Sequence, residues 1–334
     1  MKNKVAIIGS GAWGTALAQV LNDNKRSIIL YSNKKEQVDE INNFHTNSFY
    51  LPGVILSENI KATNNLNDAI RDSDIILLAV PSNALRTVLK EINSLLEDKK
   101  IFINTAKGFD TDSYNLLSYV FYNSINNEYL KDFVSLIGPS HAEEVIKRDL
   151  TCITATCTNE EIGMQIAKLF SNSYFRVYLN KDVIGGQIGA AYKNAIAIAS
   201  GILEGLNYGD NSRAALCSRG LAEMVRFGLK YGGKEDTFLG LTGMGDLVVT
   251  CYSRHSRNFT AGFKIGKDDD ASIFLKTNTK TVEGIRTIKV LYEISLKDNV
   301  ELPIIQSLYR IIYLNKKPSK EVNELMNRPL KSEK

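Results

Sequence analysis

Apolar runs alternate with amphipathic stretches through the first half of the chain. The apolar runs are typical of strands buried on both faces of a sheet, and they lie at 5–8, 27–31, 74–81, 100–108 and 133–140. Stretches with helical periodicity separate the first of them, at 13–24, 34–43 and 83–96. Strands that alternate with helices favour parallel pairing, because each crossover helix packs back onto the sheet. We therefore predict an α/β domain with a parallel sheet covered on both faces.

The second half of the chain has a different pattern. From about residue 181 the apolar positions recur with the helical period, in the segments 182–206, 212–232, 281–295 and 303–313. Pro303 opens the last segment, where a first helical turn tolerates proline. No further strand and helix alternation follows. The pattern predicts a parallel-sheet domain over 1–180 and a mainly α-helical domain over 181–334, with the boundary near 176–184.

Three glycines follow the first apolar run directly, in "VAIIGSGAWG". Gly9, Gly11 and Gly14 have the G-x-G-x-x-G spacing at a strand-to-helix turn. The first glycine permits the tight turn, the second lets the backbone approach a pyrophosphate, and the third allows close packing of helix on strand. The N–H groups of the following helix then point at the anion. The motif predicts a dinucleotide site at the carboxyl edge of the sheet.

Composition and net charge limit the kinds of ligand and partner that the chain is expected to bind. The 334 residues are 44% hydrophobic and 23% charged, which suits a soluble protein with two cores. A net charge of +4 suits anionic small ligands and is too slight to indicate nucleic acid. The N-terminal stretch lacks a signal peptide pattern, and no apolar run approaches the roughly 20 residues of a membrane span. We therefore expect a cytoplasmic protein with no membrane span and no nucleic acid partner.

Cysteine and histidine usage points away from metal chemistry. The four cysteines form no C-x-x-C pair and the three histidines are scattered, so neither a metal site nor a disulfide framework is expected. Cys152 and Cys157 are interpreted as small buried residues of a strand.

Two lysines are candidates for the chemistry. Lys193 lies on the helix predicted at 182–206, one turn from Gly189 and Ala197, which would leave room for a ligand beside it. A lysine in such a place can act as general acid or base. The alternative is a surface lysine on a helix that packs elsewhere through its glycines. Lys107 follows the strand in 100–108, where it could hold an anionic substrate or simply face solvent.

The segment 240–258 supplies a third group of polar residues. Asp246 and Thr250 are four residues apart and would share one helical face, although Asp246 also suits a helix N-cap. A donor-rich loop is predicted at Ser256, Arg257 and Asn258, and such groups are typical of phosphate binding. Arg257 as a solvated charge is the alternative.

The motifs together resemble one family. "GSGAWGTALA", "NTAKGF", "GPSHAEE", "GAAYKNAIAIASG", "RAALCSRGLAEM", "GMGDLVVTC", "SRN" and "VEG" occur in the order and approximate spacing of the NAD(P)-dependent glycerol-3-phosphate dehydrogenases of bacterial type. The resemblance spans residues 4 to about 315 and implies a Rossmann-type first domain. It implies hydride transfer between NAD(P)H and dihydroxyacetone phosphate, which gives sn-glycerol 3-phosphate for phospholipid synthesis, and a homodimer.

The resemblance also implies residue roles. Lys193 would donate and accept the proton at the substrate oxygen, beside the further catalytic residues Lys107, Asn194, Asp246 and Thr250. Lys107, Lys193 and Asp246 would also bind substrate, together with Gly138, Ser140, Ser256, Arg257 and Asn258. Besides Gly9, Gly11 and Gly14, the cofactor contacts implied are Trp13, Lys107, Ala142, Arg257, Val282 and Glu283.

Two departures bear on the cofactor. Ala12 stands where many members have serine, which removes a hydroxyl contact and leaves the backbone donors of the turn. After the second strand, "YSNKKE" lacks the acidic residue that binds a ribose 2′-OH in strict NAD enzymes, unless Glu36 reaches it. Ser32, Asn33 and Lys34 are expected to accept a 2′-phosphate instead. The cofactor expected is therefore NAD or NADP, with dual or NADP-leaning use.

Two alternatives to this activity remain open from sequence. One is a 3-hydroxy-acid or sugar-acid dehydrogenase of related two-domain architecture. The other is a non-catalytic NAD(P) sensor, which would have no use for Lys193, Asp246 and Arg257 together.

Overall fold

The computed structural model describes residues 4–330 and 332. The chain divides into two compact units, 1–187 and 188–334. The first unit contains, in chain order, β1 (Val5–Ile8), α1 (Ala12–Asp23), β2 (Ile28–Tyr31), α2 (Lys35–Phe44), β3 (Ala62–Thr63), α3 (Leu66–Ile70), β4 (Ile75–Leu78), α4 (Leu85–Asn93), β5 (Lys100–Asn104), α5 (Leu117–Tyr122), β6 (Leu130–Ile137), α6 (Ala142–Val145), β7 (Thr151–Thr156), α7 (Glu160–Phe170) and β8 (Phe175–Asn180).

The rest of the described chain is helical. Its helices are α8 (Val183–Gly205), α9 (Asp210–Lys230), α10 (Glu235–Leu239), α11 (Asp246–Tyr252), α12 (Arg257–Asp268), α13 (Ala271–Thr277), α14 (Glu283–Lys297), α15 (Pro303–Tyr313) and α16 (Pro318–Met326). A π-helical segment, Leu241–Gly245, leads into α11. Among the residues described, no helix has both the length and the apolarity needed to cross a membrane.

The eight strands form one sheet in the order β3-β2-β1-β4-β5-β6-β7-β8. The predicted parallel sheet is confirmed for the five strands that the apolar runs indicated, β1, β2, β4, β5 and β6. Strand β7, which those runs did not include, is antiparallel to β6. A parallel crossover would have to carry the chain back along the eight-residue strand β6. The four-residue helix α6 rises only about 6 Å, which is too short for that. The chain therefore turns at Gly138, where φ is +153°, and returns beside β6.

Alternate residues of the central strand enter two separate apolar cores. In β1, Val5 and Ile7 belong to one core and Ala6 and Ile8 to the other. The other central strands of the sheet are equally buried, as expected for a sheet with helices on both faces. The carboxyl ends of these strands consequently emerge at one edge of the sheet, where the candidate residues of the first unit lie.

The predicted boundary and the division by packing differ in position. The helical pattern begins near 181, whereas the compact units meet at 187/188, inside α8. The first turns of α8 belong to the sheet unit because Gly186 lies against β7. A Cβ atom on Gly186 would come within 2.7 Å of the Thr156 methyl group. One continuous helix therefore serves both units.

Glycines set the crossing of α8 and α12 in the second unit. Cβ atoms on Gly201 and Gly205 would come within 2.1 and 2.3 Å of carbonyl oxygens of α12. Cβ atoms on Gly262 and Gly266 would come within 2.0 and 2.2 Å of carbonyl oxygens of α8. The backbones of the two helices are therefore in direct contact along two turns. The helices that carry Lys193, Asn194, Arg257 and Asn258 consequently have little freedom to shift.

Candidate functional site

The glycine turn has the geometry that the motif predicts. Gly9 has φ of +111°, and a Cβ there would lie 2.7 Å from the carbonyl oxygen of Ala79. A Cβ on Gly14 would lie 2.0 Å from the Gly9 carbonyl oxygen, so helix α1 packs directly on the turn. A Cβ on Gly11 would meet nothing within 4 Å, which leaves open space at the N-terminus of α1. The turn therefore fits a dinucleotide pyrophosphate.

Two of the expected cofactor contacts begin the helix rather than sit in the turn. Ala12 and Trp13 form the first turn of α1 and are half-buried against the core. Ala142, buried at the start of α6, belongs to that same core, and α6 packs against α1. The three residues therefore lie in neighbouring elements of the first unit.

The end of β2 differs from expectation at Ser32. Its hydroxyl is buried, donates to Gln37 Oε1 at 2.7 Å and accepts from the Lys34 N–H at 3.2 Å. Because this hydroxyl already donates one hydrogen bond and accepts another, it is a poor ligand for a 2′-phosphate. The expected direct contact by Ser32 is therefore not supported. Asn33 and Lys34 are exposed and remain candidates, and Glu36 is exposed as well.

Lys107 and the turn after β6 lie together. Lys107 Nζ donates to the Gly138 carbonyl oxygen at 2.9 Å, and Ser140 Oγ donates to the same oxygen at 3.2 Å. Lys107 and Ser140 are half-buried, so Lys107 is not the freely solvated lysine of the alternative interpretation. The ends of β5 and β6 thus bring three expected substrate contacts to one place, as the edge of a parallel sheet should.

Lys193 forms a buried cluster with two other predicted residues. Its Nζ donates to Asp246 Oδ1 at 2.7 Å and to Thr250 Oγ1 at 2.6 Å. The side chains of Lys193 and Asp246 are only 7% and 1% exposed, so the surface-lysine alternative is wrong. Thr250 donates its own proton to the Asp246 carbonyl oxygen at 2.6 Å, which turns its lone pairs toward the ammonium. Asp246 is not an N-cap, since Gly245 precedes the helix and the carboxylate accepts from Lys193.

Small residues on α8 bring this cluster together. A Cβ on Gly189 would lie 2.5 Å from the Thr242 carbonyl oxygen, and one on Gly243 would lie 2.0 Å from that of Phe238. The π-helical segment therefore packs tightly on α8 and delivers Asp246 beside Lys193. At Gly189 the room expected beside Lys193 is filled by the Thr242 carbonyl group.

Asn258 joins three helices on the neighbouring face and holds Asn194. Asn258 Nδ2 donates to Asn194 Oδ1 at 2.9 Å, and the Gly284 N–H donates to Asn258 Oδ1 at 2.9 Å. The start of α14, with Val282 and Glu283, is thereby tied to α8 and α12. Asn194 is 3% exposed, and its Nδ2 is a buried donor with no hydrogen-bond partner among the described residues. A buried amide left unsatisfied is costly, so this donor is suited to a ligand oxygen.

The predicted donor-rich loop is instead a helix start. Ser256 is the N-cap of α12, where its Oγ accepts from the Phe259 N–H at 3.2 Å, and Arg257 and Asn258 are in the first turn. Arg257 is exposed, while Ser256 and Asn258 are buried. A helix N-terminus with an arginine in its first turn suits an anion even better than a loop does.

Some buried polar residues of the site escaped the sequence patterns. Gln37 and Asn47 bond to the glycine turn. Elsewhere, in the second unit, Glu223 lies within the motif "RAALCSRGLAEM" without an assigned role and accepts hydrogen bonds from Tyr192 and from the start of α15. Gln37 stands one turn before Ile41 on the buried face of α2, where an apolar residue would be expected. That mismatch was the available signal. Within the described part of the chain, no group of His, Cys, Asp or Glu side chains is placed to hold a metal ion.

The fold and these clusters define a class of protein. A glycine turn for a dinucleotide on an eight-stranded Rossmann-type sheet, with a buried lysine cluster on a helical unit, is the arrangement of a two-domain nicotinamide-dependent dehydrogenase. Such an enzyme transfers hydride to or from a carbon bearing oxygen.

Comparisons with known proteins identify the family. Profiles described as the NAD-dependent glycerol-3-phosphate dehydrogenase N-terminus and C-terminus match residues 4–163 and 182–323. A glycerol-3-phosphate dehydrogenase (NAD(P)+) of Ligilactobacillus salivarius is 44% identical over 336 residues, which cover 100% of this chain and 99% of that protein. The chain belongs to the NAD-dependent glycerol-3-phosphate dehydrogenase family.

Solved structures agree with this membership. A glycerol-3-phosphate dehydrogenase from Coxiella burnetii superposes with a TM-score of 0.91 at 33% identity, covering 98% of this chain and 99% of that one. A ketopantoate reductase from Ralstonia eutropha shares the fold alone, with a TM-score of 0.62 at 14% identity over 96% of this chain and 99% of that one. The protein is an NAD(P)-dependent oxidoreductase, and family membership favours glycerol-3-phosphate chemistry over the hydroxy-acid dehydrogenase and the sensor.

Proposed function

We propose that the protein reduces dihydroxyacetone phosphate reversibly to sn-glycerol 3-phosphate, with Lys193 as the proton donor and acceptor at the reacting oxygen. The observation that carries this proposal is the buried Lys193, Asp246 and Thr250 cluster. Burying a lysine and a carboxylate costs free energy that an apolar pair would not incur, so a chemical role accounts for their presence better than stability does. The nicotinamide, when bound, supplies the hydride to the carbonyl carbon.

The residues of the cluster suit this chemistry. Negative charge develops on the carbonyl oxygen as the ketone is reduced, and the Lys193 ammonium is suited to stabilise and then protonate that oxygen. Asp246 and Thr250 both accept from Nζ, so they hold the ammonium as a donor at a defined position. The unpartnered Asn194 Nδ2 is suited to bind a substrate oxygen. In the oxidation direction, Lys193 must be the neutral amine, which takes the proton from the hydroxyl group and becomes the ammonium again.

We assign the substrate phosphate to the start of α12. Arg257 offers a guanidinium in the first turn, and the helix N-terminus adds its partial positive charge. The Asn258 amide is engaged with Asn194 and Gly284, so Asn258 acts by holding Asn194 in place. Lys107, Gly138 and Ser140 are assigned to substrate on the sheet unit, with Lys107 also beside the cofactor. Phosphate binding energy far from the reacting carbon can then orient the ketone.

The first experiment measures oxidation of NADH and NADPH, by loss of nicotinamide absorbance, with dihydroxyacetone phosphate. We expect Lys193→Met to lower kcat by about 10²-fold or more, the usual contribution of a general acid. Lys100→Met is the matched control, because Lys100 is also a buried lysine, bonded to Asp98 and the Arg71 carbonyl oxygen. Its kcat should stay near wild type.

Two results would count against this proposal. Absence of turnover in folded wild-type protein with both cofactors would refute the activity. Equal loss of kcat in the Lys193 and Lys100 variants, with circular dichroism showing both folded, would refute the role of Lys193.

We further propose NADPH use through Asn33 and Lys34, which follow β2 and are exposed. The end of β2 carries no acidic residue that would repel a 2′-phosphate, and Lys34 would attract it. Comparable kcat/KM for the two cofactors, or a preference for NADPH, is expected. A strong preference for NADH would contradict this and favour Glu36 as a ribose ligand.

The cellular setting is also a proposal. The activity suits supply of sn-glycerol 3-phosphate to phospholipid synthesis in the cytoplasm by a homodimer. A light-scattering mass of twice the 37.2 kDa chain would support the dimer, and a mass of one chain would contradict it.

A further inference from the structure

A buried network of five polar side chains surrounds the glycine turn. We call it the amide network, and it consists of Ser10, Thr15, Ser32, Gln37 and Asn47, each no more than 9% exposed. Polar groups are costly in an apolar domain unless all are hydrogen-bonded. The hydrogen bonds that offset this cost are gathered around one short segment, the glycine turn that fits a dinucleotide. This placement indicates that the network serves that turn.

Gln37 occupies the centre of the network. Its Oε1 accepts from Ser10 Oγ and from Ser32 Oγ, both at 2.7 Å. Its Nε2 donates to the Ser10 carbonyl oxygen at 2.6 Å and to Asn47 Oδ1 at 2.9 Å. A primary amide has two donors and two acceptor lone pairs, so every one is used. One side chain of α2 thus joins the glycine turn to the end of β2.

Asn47 braces the same peptide group of the turn. Its Nδ2 donates to the Ser10 carbonyl oxygen at 2.9 Å and to Thr15 Oγ1 at 2.8 Å. The peptide that follows Ser10 is trans, so its oxygen and the Gly11 N–H point in opposite directions. Two amides that hold the oxygen inward therefore turn the Gly11 N–H away from the network, at the open N-terminus of α1.

The hydrogen bond between Gln37 and Ser32 extends the network to the end of β2, where the cofactor ribose is expected. Because Ser32 donates to Gln37 and accepts from the Lys34 N–H, the backbone that carries Asn33 and Lys34 is tied to the same amide. The hydroxyl of Ser32 is thereby a tether rather than a ligand. The pyrophosphate turn and the segment 33–34 share one anchor.

We propose that Gln37, braced by Asn47, is a positioning residue for the dinucleotide, and that it also determines how strongly NADPH binds relative to NADH. Its link to Ser10 sets the pyrophosphate donors, which both cofactors use. Its link to Ser32 sets Asn33 and Lys34, which only the 2′-phosphate of NADPH needs. The second statement rests on the proposed use of NADPH; the first needs only a dinucleotide.

The test measures Kd for NADPH and NADH by nicotinamide fluorescence without substrate, so that it does not depend on turnover. We expect Gln37→Leu to raise both Kd values about tenfold or more, since tenfold corresponds to roughly one net hydrogen bond. The rise in Kd should be larger for NADPH than for NADH. Gln19→Leu is the matched control: Gln19 is a buried glutamine of the same unit, bonded to Asp23 and the Ser57 N–H. It should leave both Kd values near wild type.

Two further variants separate the arms of the network. Ser32→Ala should weaken NADPH and leave NADH unchanged, whereas Asn47→Leu should weaken both equally. The inference is overturned if Gln37→Leu, folded by circular dichroism, changes the Kd values no more than Gln19→Leu does. Equal weakening of the two cofactors by Gln37→Leu and no effect of Ser32→Ala would overturn the specificity role. Failure of the proposed reaction appears separately, as wild-type protein that binds dinucleotide without turnover.

Discussion

Lys193 is a long cation on a helix of small residues, and its burial is decided by partners 53 and 57 positions further along the chain. Its position on a helix was predictable from periodicity, but its exposure was not, because Asp246 reaches it only through the packing of the π-helical segment on Gly189. Asp246 and Thr250 were predictable as a pair, since residues four apart share a helical face. Which side chain these two residues contact depends on the tertiary packing of the helices.

Glu223 shows the same dependence on tertiary contacts, at a residue that lies within a family motif but was assigned no role. Burial raises the pKa of its carboxyl to about 7, against hydrogen bonds from the Ile304 N–H and the Tyr192 hydroxyl that lower it. Burial also raises the pKa of Tyr192 well above its usual range, so the hydroxyl remains a donor.

A pH dependence of stability follows from the pKa of Glu223. Its folded pKa lies above the unfolded value near 4.5, so the folded state binds the proton more tightly. This stability is fully present below the unfolded pKa and is lost as pH rises through about 7. Glu223→Gln should remove the loss, so that its stability relative to wild type improves by about 3 kcal/mol between pH 4.5 and pH 8. Urea unfolding at several pH values measures this, and a difference that does not vary with pH would contradict it.

The crossing of helices α8 and α12 depends on glycine. Gly201 and Gly205 on α8 interleave with Gly262 and Gly266 on α12, each at the backbone of the other helix. The periodicity of α8 was visible in the sequence, whereas α12 was not among the predicted helices. Their mutual pairing was not predictable, because a glycine pattern indicates a close neighbour without saying which one.

The glycine crossing can be tested by adding a methyl group. Gly262→Ala gains helix propensity of about 1 kcal/mol, but its Cβ would lie 2.0 Å from the Ile198 carbonyl oxygen. The steric clash should outweigh the gain in helix propensity and lower the free energy of unfolding by about 2 kcal/mol. Because α12 begins with the proposed phosphate residues, KM for dihydroxyacetone phosphate should also rise.

Gly209→Ala is the control for this test, since a Cβ there would meet nothing within 4 Å. Unchanged urea stability of Gly262→Ala relative to that control would show that α8 and α12 have room to separate.

At the scale of the whole molecule, the predicted residues divide between two compact units. The glycine turn, Lys107 and Ser140 belong to the sheet unit, whereas Lys193 and Arg257 belong to the helical unit. The cofactor contacts proposed from the family resemblance include members of both units, with Val282 and Glu283 at the start of α14.

Hydrogen exchange tests whether both units respond to the cofactor. Added NADPH should slow amide exchange at 9–14 and 31–37, and also at 282–284 if Val282 and Glu283 contact it. Helix α16, which carries none of the proposed contacts, serves as the internal control. Protection confined to the sheet unit would remove Val282 and Glu283 from the cofactor site.

Local patterns in the chain account for the elements whose cause is local. Buried strands, the turn at Gly9 and the long helices follow from apolar periodicity and from glycine, and the family follows from motifs in order along the chain. Tertiary structure alone decided the antiparallel β7, the engagement of the Ser32 hydroxyl by Gln37, the burial of Lys193 and the unpartnered Asn194 amide. These depend on contacts between residues far apart in the chain, and a side chain's hydrogen-bond partners are set by where the packed backbone places them.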